Sequence, residues 1–85
     1  MLQRQYTTDT DTLQNISDAM TEANLHYLCH CVSFWLTVKP TCGVKEWLEF
    51  SIRRSTHRLA TDGLHEMITR LSDEDLLWIH ERMRT

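Results

Sequence analysis

Residues 25–38 read LHYLCHCVSFWLTV, and this stretch decides the fold. Ten of its fourteen residues are apolar, and its polar residues His26, His30, Ser33 and Thr37 follow one another at steps of four, three and four. On a helix this spacing draws one narrow polar stripe, whereas a strand would require polar residues at period two. The period therefore predicts a helix, although the content of Cys, Val, Tyr, Phe and Trp also suits a strand.

The predicted helix is apolar around most of its circumference, which is more than an ordinary surface helix buries. Its apolar run is shorter than the roughly 17–25 residues that cross a bilayer, and its flanks do not resemble a signal peptide. We therefore expect no membrane association. The helix is predicted to lie at the centre of a core or at the seam of an oligomer.

The apolar stripe continues N-terminally without a change of phase. Three- and four-residue steps connect the positions that the helix would present on one side: Leu13, Ile16, Met20, Ala23, Tyr27, Cys31 (or His30), Phe34 and Val38. We favour one long helix over residues 12–38, preceded by a flexible arm over residues 1–10. The competing interpretation is a break near residues 21–24, where Thr21 and Asn24 could cap a second helix.

The remaining sequence predicts three shorter helices. Lys39-Pro40 ends the long helix, because proline disfavours the α conformation in the residue before it. Apolar periodicity and turn residues then place helices over residues 43–60, 63–71 and 73–84. Ser72 and Asp75 form a capping-box pattern before the last of these. The predicted fold class is all-α, with residues 11–85 forming a single helical domain.

Composition limits the possible functions. The chain has 85 residues, a net charge of −3 and three cysteines. This acidic balance disfavours nonspecific nucleic-acid binding, which depends on an excess of Lys and Arg. An odd number of cysteines without a secretory leader predicts free thiols in a reducing cytoplasm.

His26, Cys29 and His30 are the candidate metal ligands. The two histidines are separated by four residues and share a helix face, as in many zinc sites, and Cys29 is close to both on the helical wheel. Cys31 points almost opposite His26, so the two thiols of the CHC tripeptide cannot bind the same ion. Because no paired CxxC spacing is present, we expect no metal and no other cofactor, and a zinc-stabilised fold is the weakest alternative.

A basic group is found in the second predicted helix. Arg53, Arg54, His57 and Arg58 would share one face if that helix extended to residue 60. Such a face could contact phosphates or an acidic partner. It could equally be a solvated surface, since Glu46 and Glu49 lie on the same helix.

The sequence contains no HExxH, GxSxG, P-loop or GxGxxG motif, so we expect no enzymatic activity. The expected function is that of a small cytoplasmic adaptor or regulator that binds another protein and forms a homodimer, as small accessory proteins of bacteria or phages do. Aromatic residues dominate interface energetics. The predicted interface residues are Leu13, Ile16, Met20, Tyr27, Phe34, Trp35 and Val38. The alternative is a nucleic-acid-associated regulator that uses the basic group.

Overall fold

The computed structural model describes residues 10–84, and every regular element within this range is an α-helix. The prediction of an all-α fold is confirmed. Of the predicted N-terminal arm only Thr10 falls inside the described residues, and it is helical. In chain order the helices are α1 (Thr10–Ala19), α2 (Glu22–Val38), α3 (Val44–Arg54), α4 (Arg58–Thr61), α5 (Leu64–Ile68) and α6 (Asp73–Arg84).

The predicted continuous helix over residues 12–38 is wrong, because the chain breaks at Met20 and Thr21. Thr21 has extended backbone angles and caps α2: its hydroxyl accepts a hydrogen bond from the backbone N–H of Asn24 at 3.0 Å. In return, the backbone N–H of Thr21 donates to Asn24 Oδ1 at 3.2 Å. The competing interpretation is thus the correct one. A capping box satisfies the free backbone N–H groups at the start of a helix. An apolar stripe that keeps its phase across Thr21 does not reveal that a new helix starts there.

The predicted helix over residues 43–60 is also too long. It ends at Arg54, since Ser55 adopts an extended conformation and its hydroxyl accepts a hydrogen bond from the backbone N–H of His57 at 3.0 Å. Such local side-chain bonds compete with helical ones. A separate turn, α4, follows, and Gly63 with a φ of 75° then leads into α5, which is shorter than the predicted residues 63–71.

The last helix begins where its capping signal predicts. The backbone N–H of Asp75 donates to Ser72 Oγ at 3.2 Å, and the backbone N–H of Ser72 donates to Asp75 Oδ2 at 2.9 Å. The adjacent Asp73 caps a different helix: its Oδ1 accepts a hydrogen bond from the backbone N–H of Lys45 at 3.0 Å. A carboxylate from α6 thereby stabilises the start of α3, where Gly43 offers no side chain.

The core is organised around α2, which packs against α3, α4 and α6. Its polar stripe of His26, His30, Ser33 and Thr37 is exposed, as the sequence predicts. Among residues 10–84, no helix has both the length and the apolar character needed to cross a bilayer. The buried apolar side chains are Leu13, Ile16, Met20, Leu28, Cys31, Val32, Val44, Leu48, Leu64, Ile68, Leu71, Leu76 and Ile79.

Candidate functional site

A wide groove of about 990 Å³ lies between α2 on one side and α3 with α4 on the other. We call it the aromatic groove, because four of its lining residues are Tyr27, Phe34, Trp47 and Phe50. The remaining lining residues are Glu22, Ala23, His26, His30, Cys31, Ser51, His57 and Ala60.

The helical period explains how α2 supplies one wall. Ala23, Tyr27, His30 and Phe34 follow one another at steps of four, three and four, so all four lie on the same side of the helix. His30 stacks on Phe34 with their ring centroids 6.5 Å apart. The wall is therefore a continuous row of side chains that starts near α4.

The opposite wall comes from α3, which runs antiparallel to α2. Near one end of the groove, Trp47 meets the edge of Phe34 with ring centroids 5.9 Å apart. One turn further along α3, Ser51 contacts Tyr27. Phe50 stands on the same wall, and the guanidinium carbon of Arg54 lies 5.1 Å from the centroid of its ring.

Hydrogen bonds hold two of the aromatic rings in place. The hydroxyls of Tyr27 and Ser51 are 2.6 Å apart, and Cys31 Sγ lies 3.4 Å from Ser51 Oγ. The indole N–H of Trp47 donates to the backbone carbonyl of Cys31 at 3.1 Å. With their polar atoms bonded within the protein, Tyr27 and Trp47 present apolar ring surface in fixed orientations.

Two other aromatic rings of the groove extend into solvent. Phe34 is 56% exposed and Phe50 is 55% exposed. Single exposed apolar side chains are common, but two large rings on facing walls of one concavity are typical of a binding surface. The apolar periodicity of α3 does not predict a role for Phe50, because this residue lies outside the apolar stripe of the helix. An aromatic residue outside such a stripe is the sequence signal that could have identified it.

Only part of the predicted interface is accessible. Leu13, Ile16 and Met20 are buried in the core of the chain itself, which contradicts their assignment to an interface. Because the chain breaks at Thr21, α1 does not continue the axis of α2, and these three side chains belong to the buried core. The remaining four differ in exposure: Tyr27 and Trp35 are half-buried, and Phe34 and Val38 are exposed.

Trp35 has a structural role in addition. Its indole N–H donates to the backbone carbonyl of Cys42 at 3.0 Å. This bond fixes the turn between α2 and α3. Trp35 is not one of the residues that line the aromatic groove.

The basic residues do not share one helix face. Arg53, Arg54, His57 and Arg58 are all exposed, but the bend over residues 55–57 separates the first two from the last. The single face predicted from a helix ending at residue 60 is therefore wrong. Instead, His57 lines the groove and Arg54 contacts its Phe50 wall.

The three candidate metal ligands do not line one concavity together. His26 and His30 are exposed and line the aromatic groove, whereas Cys29 lies with Leu25, Met83 and again His26 in a smaller concavity. Burial raises the pKa of the Cys29 thiol, which disfavours the thiolate that a metal requires. Within residues 10–84, no group of three or more potential ligands is arranged to hold a metal ion.

A polar contact between Ser33 and His80 joins α2 to α6. Ser33 Oγ and His80 Nε2 are 2.9 Å apart, and His80 is buried. Burial lowers the pKa of His80 below its ordinary value of 6.5, the positive charge of Arg84 lowers it further, and Glu81 opposes both. The contact lies away from the groove and connects two helices of the core.

A comparison of the chain with protein-family models, curated proteins and solved structures found no match. Functional inference for this chain therefore depends on the shape, exposure and charge of the aromatic groove.

Proposed function

We propose that the protein is a small protein-interaction module without chemistry of its own, and that its aromatic groove binds an amphipathic helix of a partner protein. The observation that carries this proposal is the pair Phe34 and Phe50, which are more than half exposed on facing walls of one concavity. Full burial of an exposed Phe side chain is worth about 1.5–3 kcal/mol, so covering the exposed half of each ring would contribute about 1–1.5 kcal/mol. A partner that covers both recovers this free energy.

A helix matches the shape of the site. Two antiparallel helices form the walls, and a third helix packs naturally into the groove between two others. From Ala23 to Phe34 the α2 wall spans about 17 Å at 1.5 Å per residue, which is about three helical turns. A partner helix of that length would place apolar side chains at positions i, i+3 or i+4, and i+7 on the aromatic rings.

The fixed rings favour tight binding. Tyr27 and Trp47 are already held by hydrogen bonds to Ser51 and Cys31, so little side-chain freedom is lost when a partner covers them. Aromatic residues in preformed pockets are the usual centres of interface free energy.

The homodimer expected from the sequence is the second form of this proposal, and it has less support. The burial of Leu13, Ile16 and Met20 removes almost half of the predicted seam. Pairing two α2 helices across the groove would also bring the exposed His26 and His30 of each copy together. Sedimentation of the chain at micromolar concentration tests this form: a dimer that Phe34→Asp dissociates would support it.

A displayed library of amphipathic helices tests the main proposal. The library would hold helices of about 15 residues with a variable apolar face, selected for binding to the full chain. We expect enrichment of large apolar residues at three- and four-residue spacing, and loss of binding to a Phe34→Asp, Phe50→Asp variant. Introducing two carboxylates into the apolar contact should weaken affinity at least about a hundredfold, since each buried unpaired polar group costs about 1–3 kcal/mol.

Leu36→Asp is the matched control. Leu36 is also an exposed apolar residue of α2, but it points away from the groove, about 200° around the helix from Phe34. Its replacement should leave binding unchanged. If no helix is enriched, or if Leu36→Asp weakens binding as much as the groove variant does, the proposed function is wrong.

A further inference from the structure

Charges around the aromatic groove are unevenly distributed. Among the described residues that line it, Glu22 is the one acidic side chain, while three lining residues are histidines: His26, His30 and His57. Arg54 adds a permanent positive charge, because its guanidinium lies over the Phe50 ring that forms the wall. The groove thus combines an apolar floor with cationic and hydrogen-bond-donating edges.

The charge also changes sign along α3. Glu46 and Glu49 occupy its first half, and Arg53 and Arg54 occupy its last turn. Arg58 follows shortly afterwards at the start of α4. Arg54, His57 and Arg58 therefore lie at the end of the groove that adjoins α4, together with Glu22 at the start of α2, whereas Glu46 and Glu49 lie toward the opposite end, together with Lys45.

Within residues 10–84, the charges of Arg54 and Arg58 are not neutralised by an ion pair. In the described part of the chain, no carboxylate pairs with Arg54 or Arg58, and the ion pairs found there involve Arg82 and Arg84. Imidazole N–H groups also donate hydrogen bonds to carboxylates. An apolar surface edged by unpaired cations complements a ligand that is apolar on one side and acidic on its flank.

We infer that the partner helix is acidic, with Asp or Glu residues on the flank that meets Arg54, His57 and Arg58. This inference rests on the proposed function and specifies its ligand. It also gives the complex a polarity: the acidic turn of the partner lies at the α4 end, away from Glu46. A second copy of the chain fits less well, because the side of α2 that it would present carries one acid, Glu22, beside His26 and His30.

A nucleic acid could also use arginines beside aromatic rings, since bases stack on such surfaces. The acidic residues Glu22, Glu46 and Glu49 around the groove disfavour a polyanion that would follow its whole length. A short acidic flank at the α4 end avoids Glu46 and Glu49, and the one carboxylate that lines the groove there, Glu22, is outnumbered by Arg54 and Arg58. The charge pattern therefore favours an acidic helix over a nucleic acid.

The test extends the helix selection by randomising the flanking positions among Glu, Lys and Gln. We expect Glu to be enriched on one flank for the full chain. Arg54→Glu combined with Arg58→Glu should weaken the selected helices about tenfold, which is the sum of two lost surface attractions and two new repulsions. The same variant should instead select Lys at those positions.

Arg70→Glu is the matched control, because Arg70 is an exposed arginine outside the groove. It should change affinity less than twofold. Binding of Glu-flanked helices should also weaken with added salt for the full chain, and much less for the Arg54→Glu, Arg58→Glu variant.

Three outcomes would overturn the inference. If helices are enriched with the expected apolar spacing but with no preference for Glu, the acidic partner is wrong while the proposed function stands. If no helix is enriched at all, both fail. If a single-stranded oligonucleotide of about a dozen nucleotides binds more tightly than the selected helices and depends on Arg54 and Arg58, the groove region is a nucleic-acid site instead.

Discussion

The two sides of α2 both carry apolar residues but differ in how the fold covers them. On the α6 side, helix packing closes the surface, and the contact between Ser33 and His80 joins the two helices. On the α3 side, Tyr27 and Trp47 pack below while Phe34 and Phe50 remain exposed above them. The apolar character of a helix therefore does not reveal which of its sides is used for folding and which is left for binding.

The largest expected effect is a difference in stability between two variants. One lies in α6, which covers the closed side of α2, and the other lies in the aromatic groove. Ile79 on α6 is completely buried, so Ile79→Ala should lower the free energy of unfolding by about 2–5 kcal/mol. Phe50→Ala removes more atoms but should cost only about 1 kcal/mol, because the ring is mostly exposed and contacts Arg54. Chemical denaturation of both variants measures the difference. Equal losses would mean that the groove is part of the stabilising core.

The junction that separates α1 from α2 comes next. Asn24 is almost fully buried, its side-chain N–H donates to the backbone carbonyl of Ala60 at 2.7 Å, and its Oδ1 completes the cap by accepting a hydrogen bond from the backbone N–H of Thr21. Asn24→Ala should lower the free energy of unfolding by about 2 kcal/mol, since it removes a cap partner and leaves a buried carbonyl without a donor.

Thr21→Ser is the matched control for this junction, because it retains the capping hydroxyl. Its effect should be within about 0.5 kcal/mol. Circular dichroism during urea denaturation checks both variants. An Asn24→Ala protein as stable as the natural chain would show that the cap is not what divides the helices.

The smallest expected effect is the pH dependence of stability that His80 causes where α6 packs against α2. Because the pKa of His80 is lowered in the folded state, the unfolded chain binds a proton at this residue more readily than the folded one. The free energy of unfolding should therefore fall as pH decreases below 6.5, until the folded-state pKa is reached, and this contribution vanishes above 6.5.

His80→Gln tests this dependence, since glutamine can still hydrogen-bond to Ser33 but does not titrate. The variant should lose less stability than the natural chain between neutral and mildly acidic pH. Thermal unfolding at several pH values measures it. Identical pH profiles would show that other groups cause the acid sensitivity.

Much of the local structure could be predicted from the sequence because its causes are local. The polar stripe on α2, the capping box at Ser72 and the end of α2 near Pro40 depend on residues within a few positions of each other. The predicted helix lengths were wrong where two local signals favoured different helix boundaries. At Thr21, an apolar stripe in phase and a capping box made opposite predictions, and the bond from Asn24 to Ala60 favours the break.

The groove was less predictable because it joins residues that are far apart in the chain. The sequence predicts Phe34 and Val38 as interface residues, but not Phe50. It also predicts one helix face for the basic group, and this face does not form because α3 ends at Arg54. Arg54 reaches the Phe50 ring within α3 itself, but His57 lines the groove after the chain has left α3 at Ser55. No periodicity within a single helix contains that information.

The sequence by itself determined that the chain is helical, where α6 starts, and that α2 has more apolar surface than a solvated helix requires. Only the tertiary structure decided which part of that surface is exposed. The physical reason is that hydrophobic burial is non-directional: the pattern states how much surface must be covered, whereas the packing of α3 and α6 determines which surface is covered. The aromatic groove is the part of the uncovered surface that α2 shares with α3.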